Sequence, residues 1–259
     1  MIELLYPVIW LVKKSKLLSA VAMRLTQLTG KSKYRIHPKH LITYEKPWYI
    51  KSLKKKDVVL DLGCNNGQQT IKIARKVKKV VGLDQDLKQL KIAKNLVKDE
   101  RINNIELITA NLERRFPAES NFFNKVLALD VLEHVENQQL FIKEIKRVLK
   151  KQGMALIAIP NSETPWKKLQ KKVGLNYFAD PDHKVEYCLK EVRQIFEKQG
   201  FKILTIEPVV YDTPWVGVID LIGGLSLSLY QRLAEWKQKK VVNNIDKSTG
   251  FRITMVNKT

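Results

Sequence analysis

Four polar residues, each closing a short apolar run, carry the chemistry of this chain. Val58-Val-Leu-Asp61 leads into Leu-Gly63-Cys64-Asn65-Asn66-Gly67, and Lys79-Val-Val-Gly-Leu runs into Asp84. Ile105-Glu-Leu-Ile-Thr-Ala ends in Asn111, and Lys125-Val-Leu-Ala-Leu ends in Asp130, with Glu133 and His134 just beyond. A carboxylate two residues before a glycine turn suits a cationic or hydroxyl-bearing ligand and repels a pyrophosphate. A dinucleotide fingerprint started at Gly63 would need glycines where Asn65 and Gln68 stand, and no Gly-Lys-Ser/Thr follows to cradle a phosphate. Asp84 falls close to the offset of about 20 residues at which an acid meets ribose hydroxyls in nucleotide-binding βαβ units. His134 can take a proton from a hydroxyl, because an imidazole titrates near neutral pH; it can equally cap a helix or hold its loop. Asp130, Glu133 and His134 do not make a closed ligand set at their local spacing, so no metal is expected.

The elements that must hold these groups read as alternating strands and helices. After the first run, Gln68 to Val77 has a helical pattern, with Gly67 at its start. Asp86 is placed to cap a helix carrying Leu90, Ala93 and Val97 on one face, with Gln89 in capping-box position. Asn137 caps another whose stripe is Phe141, Ile145, Val148 and Leu149, and Gly153 to Pro160 is a fifth strand stopped by proline. Strands and helices alternating at this pitch require a parallel α/β sheet covered on both faces. Ligands bind such sheets at the strand ends that carry these acids.

The loop from Asp61 to Gly67 resembles motif I of the class I S-adenosylmethionine-dependent methyltransferases. Leu129-Asp-Val-Leu-Glu-His-Val135, Ile142-Lys-Glu-Ile-Lys-Arg-Val-Leu-Lys150, Gly153 and Pro160-Asn161 narrow the likeness to the type 11 branch. That branch contains the ubiquinone-biosynthesis O-methyltransferases, and the likeness covers about residues 45–160. The resemblance implies a Rossmann-like, mostly parallel seven-stranded sheet in the order 3-2-1-4-5-7-6. Helices would lie on both faces, with an N-terminal helical extension over residues 1–44. The methyltransferase domain would fill 45–259, with Phe201 to Val209 as the penultimate strand and Phe251 to Asn257 as the last. Lid or acceptor insertions would lie at about 161–188 and 210–250.

The resemblance also implies S-adenosyl-L-methionine as cofactor, held by Asp61, Gly63, Cys64, Gly67, Asp84, Gln85, Asn111, Leu112 and Asp130. Asp61 would reach the ammonium, Asp84 the ribose hydroxyls and Asn111 the adenine. The family usually has Asp at that last position, and an amide oxygen can still accept from an adenine amino group. Asn65 replaces a frequent glycine but tolerates left-handed backbone. Asp130 and His134 would be catalytic, with Glu133, His183 and Tyr187 on the acceptor side. The expected activity is methyl transfer to a hydroxyl, or less often a carbon or amine, of a small or lipid-linked acceptor. The alternatives are an RNA methyltransferase and a non-catalytic relative that binds a membrane or partner.

Composition bears on partners. The formal charge is +21, and residues 1–56 hold 13 Lys and Arg against 2 acids. Lysine outnumbers arginine 37 to 10, and aromatics do not interleave with the basic runs, so nucleic acid is the less favoured partner. Met1 to Val12 is apolar but lacks a basic leader and falls short of the roughly 20 residues of a spanning helix. Residues 1–16 and 214–240 combine aromatic and aliphatic bulk with lysines, which fits either a lid or peripheral contact with a membrane. Two cysteines make no disulfide framework, so a cytoplasmic protein, free or attached to a membrane, is expected.

Overall fold

The computed structural model describes residues 2–33, 35–42 and 47–258; the boundary expected at 44/45 and the side chains of residues 2–4 and 40 lie outside what is described. Along the chain run α1 (Ile2–Lys14), α2 (Leu18–Leu28), β1 (Val58–Leu62), α3 (Gln68–Ala74), β2 (Lys79–Asp84), α4 (Leu87–Asp99), β3 (Ile105–Thr109) and β4 (Phe123–Leu129). Then follow α5 (Gln138–Val148), β5 (Leu149–Pro160), α6 (Pro165–Lys172), α7 (Leu189–Lys198), β6 (Phe201–Pro208), α8 (Val216–Leu225), α9 (Leu227–Val241) and β7 (Gly250–Asn257). The chain divides into two compact units. Met1–Lys46, Asn161–Ala179 and Pro208–Thr249 make a helical unit; Pro47–Pro160, Asp180–Glu207 and Gly250–Thr259 make a sheet unit.

In the sheet unit the described strands form one sheet in the order β3-β2-β1-β4-β5-β7-β6. This is the order the resemblance implies. The pairs β1–β2, β1–β4, β2–β3 and β4–β5 are parallel, and β7 runs antiparallel to β5. Parallel strands covered on both faces read as unbroken apolar runs. Val59, Leu60, Val126, Leu127, Leu156 and Ile157 are accordingly all buried. The helices start where their sequence says: Asp86 accepts from the Lys88 and Gln89 amides, and Asn137 accepts from the Leu140 amide. One boundary differs. Leu149 pairs with Phe123 and Met154 with Lys125, so β5 begins before Gly153, across an irregular turn in which Gln152 has a φ of 59°.

The helical unit is built on a close parallel contact between α2 and α8. Ser15 lies against Gly217 and Ala22 against Gly224, while Ser19 donates to the Asp220 carboxylate at 2.6 Å between them. His37 and Tyr230 also bond Asp220, each at 3.1 Å. Burial would push the Asp220 carboxyl up, but His37, Ser19 and Tyr230 together hold it below its ordinary value. Part of the apolar stretch 214–231 is therefore spent on helix packing around a buried acid. A Cβ at Gly217 would stand 1.8 Å from the Ser15 carbonyl oxygen, so the helices must part to admit one. Gly217→Ala is expected to cost about 1–3 kcal/mol, read as a lowered urea midpoint.

Candidate functional site

The site lies at the carboxyl ends of β1, β2 and β4. After β1 the chain turns back over β2, and the Gly63 and Cys64 amides both donate to the Leu83 carbonyl, at 2.8 and 3.0 Å. Gly63 has a φ of 67°, and a Cβ there would fall 2.6 Å from Val131, so glycine keeps the backbone bare. Asn65 follows in left-handed conformation, and its amide donates to Asp84 Oδ2 at 2.7 Å. Asp84 Oδ1 accepts from the Asp86 amide at 2.9 Å. One carboxylate thus ties the loop after β1 to the start of α4.

Around this turn is a cleft of about 240 Å³ lined by Gly63, Asn65, Asp84, Gln85, Asn111, Leu112, Glu113, Asp130, Val131, His134 and Val135. Six of the residues expected to hold the cofactor share it, together with His134. Asp130 directly follows β4 with a φ of 57°, a left-handed backbone that aspartate adopts more readily than most residues. Asn111 accepts from the Glu113 amide at 2.8 Å, and Glu113 in turn accepts from the Glu136 and Asn137 amides at 2.7 and 3.2 Å. Glu113 therefore fixes the loop that carries His134 to the start of α5. Its sequence neighbourhood gives no hint of that role.

The other expected residues sit behind the cleft. Asp61 is buried, accepts from the Thr70 hydroxyl at 2.7 Å, and is not among the lining residues. Burial pushes its carboxyl up to about 7, against the Thr70 bond and with a smaller contribution from the Asp84 charge. Cys64 packs against Gly82, where a Cβ would come within 3.0 Å of its sulfur. Burial, followed by the charges of Asp61 and Asp84, pushes that thiol up, so it is inert at neutral pH. Gly67, with a φ of 79°, brings the start of α3 against Ala93.

Among the residues expected on the acceptor side, the Glu133 carbonyl accepts from the Lys184 amide at 2.7 Å, docking the 180–187 loop beside the short helical turn 132–134. This brings His183 edge-on to His134, with ring centroids 4.7 Å apart. His183 Nδ1 meets Glu186 Oε1 at 2.8 Å, and both side chains are buried. The spacing His183-x-x-Glu186 is the signal that could have found this pair in the sequence. Ligand atoms of Glu133, His134 and His183 all lie within 4.8 Å of one another. Tyr187 is buried and lines a separate hollow with Gln138, Ile142 and Gln194, and its hydroxyl is pushed up to about 12, mostly by burial.

A sequence profile of the methyltransferase-domain family matches residues 53–206. The chain belongs to the class I S-adenosylmethionine-dependent methyltransferases. This methyltransferase is 27% identical over 209 residues to a ubiquinone biosynthesis O-methyltransferase of Coxiella burnetii, covering 75% of this chain and 85% of that one. It is 26% identical over 121 residues to N-methyltransferase 4 of Papaver somniferum, and that match spans only 34% of the poppy protein's length. Its fold superposes on a SAM-dependent methyltransferase structure from Methanosarcina mazei with a TM-score of 0.57 at 16% identity, covering 83% of this chain and 98% of that one.

The raised carboxyl of Asp61 gives the methyltransferase a pH signature. Between the ordinary carboxylate range and about pH 7 the folded protein holds a proton at Asp61 that the unfolded chain has released. Stability contributed by the neutral buried acid is therefore lost as pH rises through that window. Asp61→Asn is expected to flatten this fall, measured as urea midpoints at a series of pH values.

Proposed function

We propose that this chain methylates a hydroxyl of a small or lipid-linked acceptor, with His134 removing the hydroxyl proton. The observation that carries the reading is the placement of His134: it lines the cleft with Asp130 and rests against His183, whose ring Glu186 holds. The match to the Coxiella O-methyltransferase over most of both chains supports oxygen as the accepting atom, against a match to only a third of the poppy N-methyltransferase. The residues fit the cofactor: a carboxylate closes β2, a buried acid underlies the loop, and Gly63 leaves room where a side chain would collide.

When bound, S-adenosylmethionine supplies a methyl group already activated by its sulfonium. Alignment and proton removal are left to the protein. Asp84 accepts the ribose hydroxyls, with its carboxylate fixed in place by the two loop amides. Asn111 would hold the adenine, with Leu112 and Gln85 lining the same cleft. Asp61, bonded to Thr70 beneath the loop, would ionise against the ammonium of the bound methionine end. Asp130 stands at the end of β4, where its left-handed backbone turns the chain toward His134. Asp84→Asn is expected to weaken S-adenosylhomocysteine binding by about tenfold or more, since a charged acceptor contributes roughly 1.5–3 kcal/mol. Calorimetric titration with circular dichroism as a folding control checks it, and unchanged affinity would remove Asp84 from the site.

His134→Gln is expected to lower kcat by about 100-fold while cofactor affinity stays within twofold. A second reading is favoured by the proximity of Glu133, His134 and His183, which would let a divalent cation hold the acceptor oxygens. Chelation separates the two. Activity that survives EDTA supports the proton acceptor; activity abolished by EDTA and restored by Mg²⁺ or Mn²⁺ replaces it with a metal.

A further inference from the structure

Large apolar side chains left exposed are concentrated in the helical unit. On the stretch from Leu17 to Leu28, the positions Leu17, Val21, Arg24 and Leu28 recur at i, i+4, i+7 and i+11 and share one side. Leu17 is 67% exposed and Leu28 80%. The opposite side of α2, with Ala22 and Leu25, is already occupied by Gly224 of α8. This helix is thus apolar on both faces, and a surface helix in water needs only one. In α1, Ile9 is buried while Val8, Trp10 and Leu11 stand out. Leu225, at the end of α8, is 60% exposed.

Charge selects what covers it. Residues 4–42 contain eight Lys and Arg and no Asp or Glu. Lys14, Lys16 and Arg24 are exposed among the apolar side chains. A second copy of this chain would set like charges face to face across a symmetric contact. A nucleic acid would meet the cations but leave the leucines in water. An anionic lipid surface satisfies both, taking aliphatic side chains below the headgroups and lysines among the phosphates. At 13 residues, α1 is about 20 Å long, too short to cross a bilayer and suited to lie along it.

We propose that the outer side of α2, together with the exposed apolar side chains of α1 and the end of α8, docks on an anionic membrane. The inference goes beyond the methyl-transfer reading, and its test reads lipid binding and cofactor binding separately. The full chain is sedimented with vesicles of phosphatidylcholine alone or with about one quarter phosphatidylglycerol. Binding is expected only to the anionic vesicles and should weaken as salt is raised. Leu17→Glu/Leu28→Glu, which removes apolar contact, and Lys14→Glu/Lys16→Glu/Arg24→Glu, which reverses charge, should each reduce the bound fraction about tenfold or more. Both variants should keep wild-type affinity for S-adenosylhomocysteine, which separates loss of docking from loss of the fold. No retention on anionic vesicles would overturn the proposal. So would equal retention on neutral ones, or a dimer or RNA complex dissolved by the same substitutions with lipid binding unchanged.

Discussion

The carboxylate of Asp84 is the joint on which the site depends. One oxygen holds the Asn65 amide and the other the Asp86 amide, so the loops after β1 and β2 cannot move independently. A charge-assisted bond of this kind is about twice as strong as a neutral one. Beneath it, the Leu83 carbonyl takes two more amides from the same loop. The glycines follow from this closeness. Gly63 lets the loop pass Val131, and Gly67 lets α3 begin against α4. A ligand therefore meets a backbone whose shape is set before binding, which lowers the ordering cost of recognition.

A comparable chain of supports holds the other wall. Glu113, in the loop after β3, takes two amides at the start of α5 and so fixes where the segment after β4 can go. That segment presents His134, and its Glu133 carbonyl anchors the 180–187 loop that brings His183 alongside. Neither histidine has to be held by its own element alone. Their relative placement comes from carbonyl-to-amide bonds, which are less tolerant of drift than contacts between flexible side chains.

The sheet was legible because its physics is local. Apolar runs ending in acids, capping residues at Asp86 and Asn137, and glycine at the first turn each specify one element. The residues lining the cleft were legible for the same reason, since Asp84, Asn111 and Asp130 close strands whose order puts their ends together. What the sequence hid is depth. Asp61 sits in the same kind of strand end as Asp84, yet Thr70 from α3 covers it, and no spacing rule distinguishes a lining carboxylate from a buried one. Pairings between distant segments were equally hidden, as with Glu113 and the start of α5, or His183 and His134. The apolar stretch from 214 to 231 concealed both a helix contact and a buried acid, because a glycine reads alike whether it faces a helix or open space.

The helical unit holds an acid inside and several large apolar side chains outside. Asp220 lies inside with Ser19, His37 and Tyr230, and Leu17, Leu28 and Leu225 lie outside. In water the reverse arrangement is favoured, since burying a Leu side chain is worth about 1.5–3 kcal/mol and burying an acid costs unless it is bonded. The unit meets the second condition with three donors on one carboxylate, which also draws α2, α8, α9 and the segment holding His37 to a common point. Small residues complete the design. Gly217 and Gly224 let the helix backbones approach, so the contact is made without spending the large side chains on it. Those side chains are left on the outer surface together with lysines. Three donors on one carboxylate thus hold the unit together from inside, and the leucines and lysines that this packing does not use form its surface.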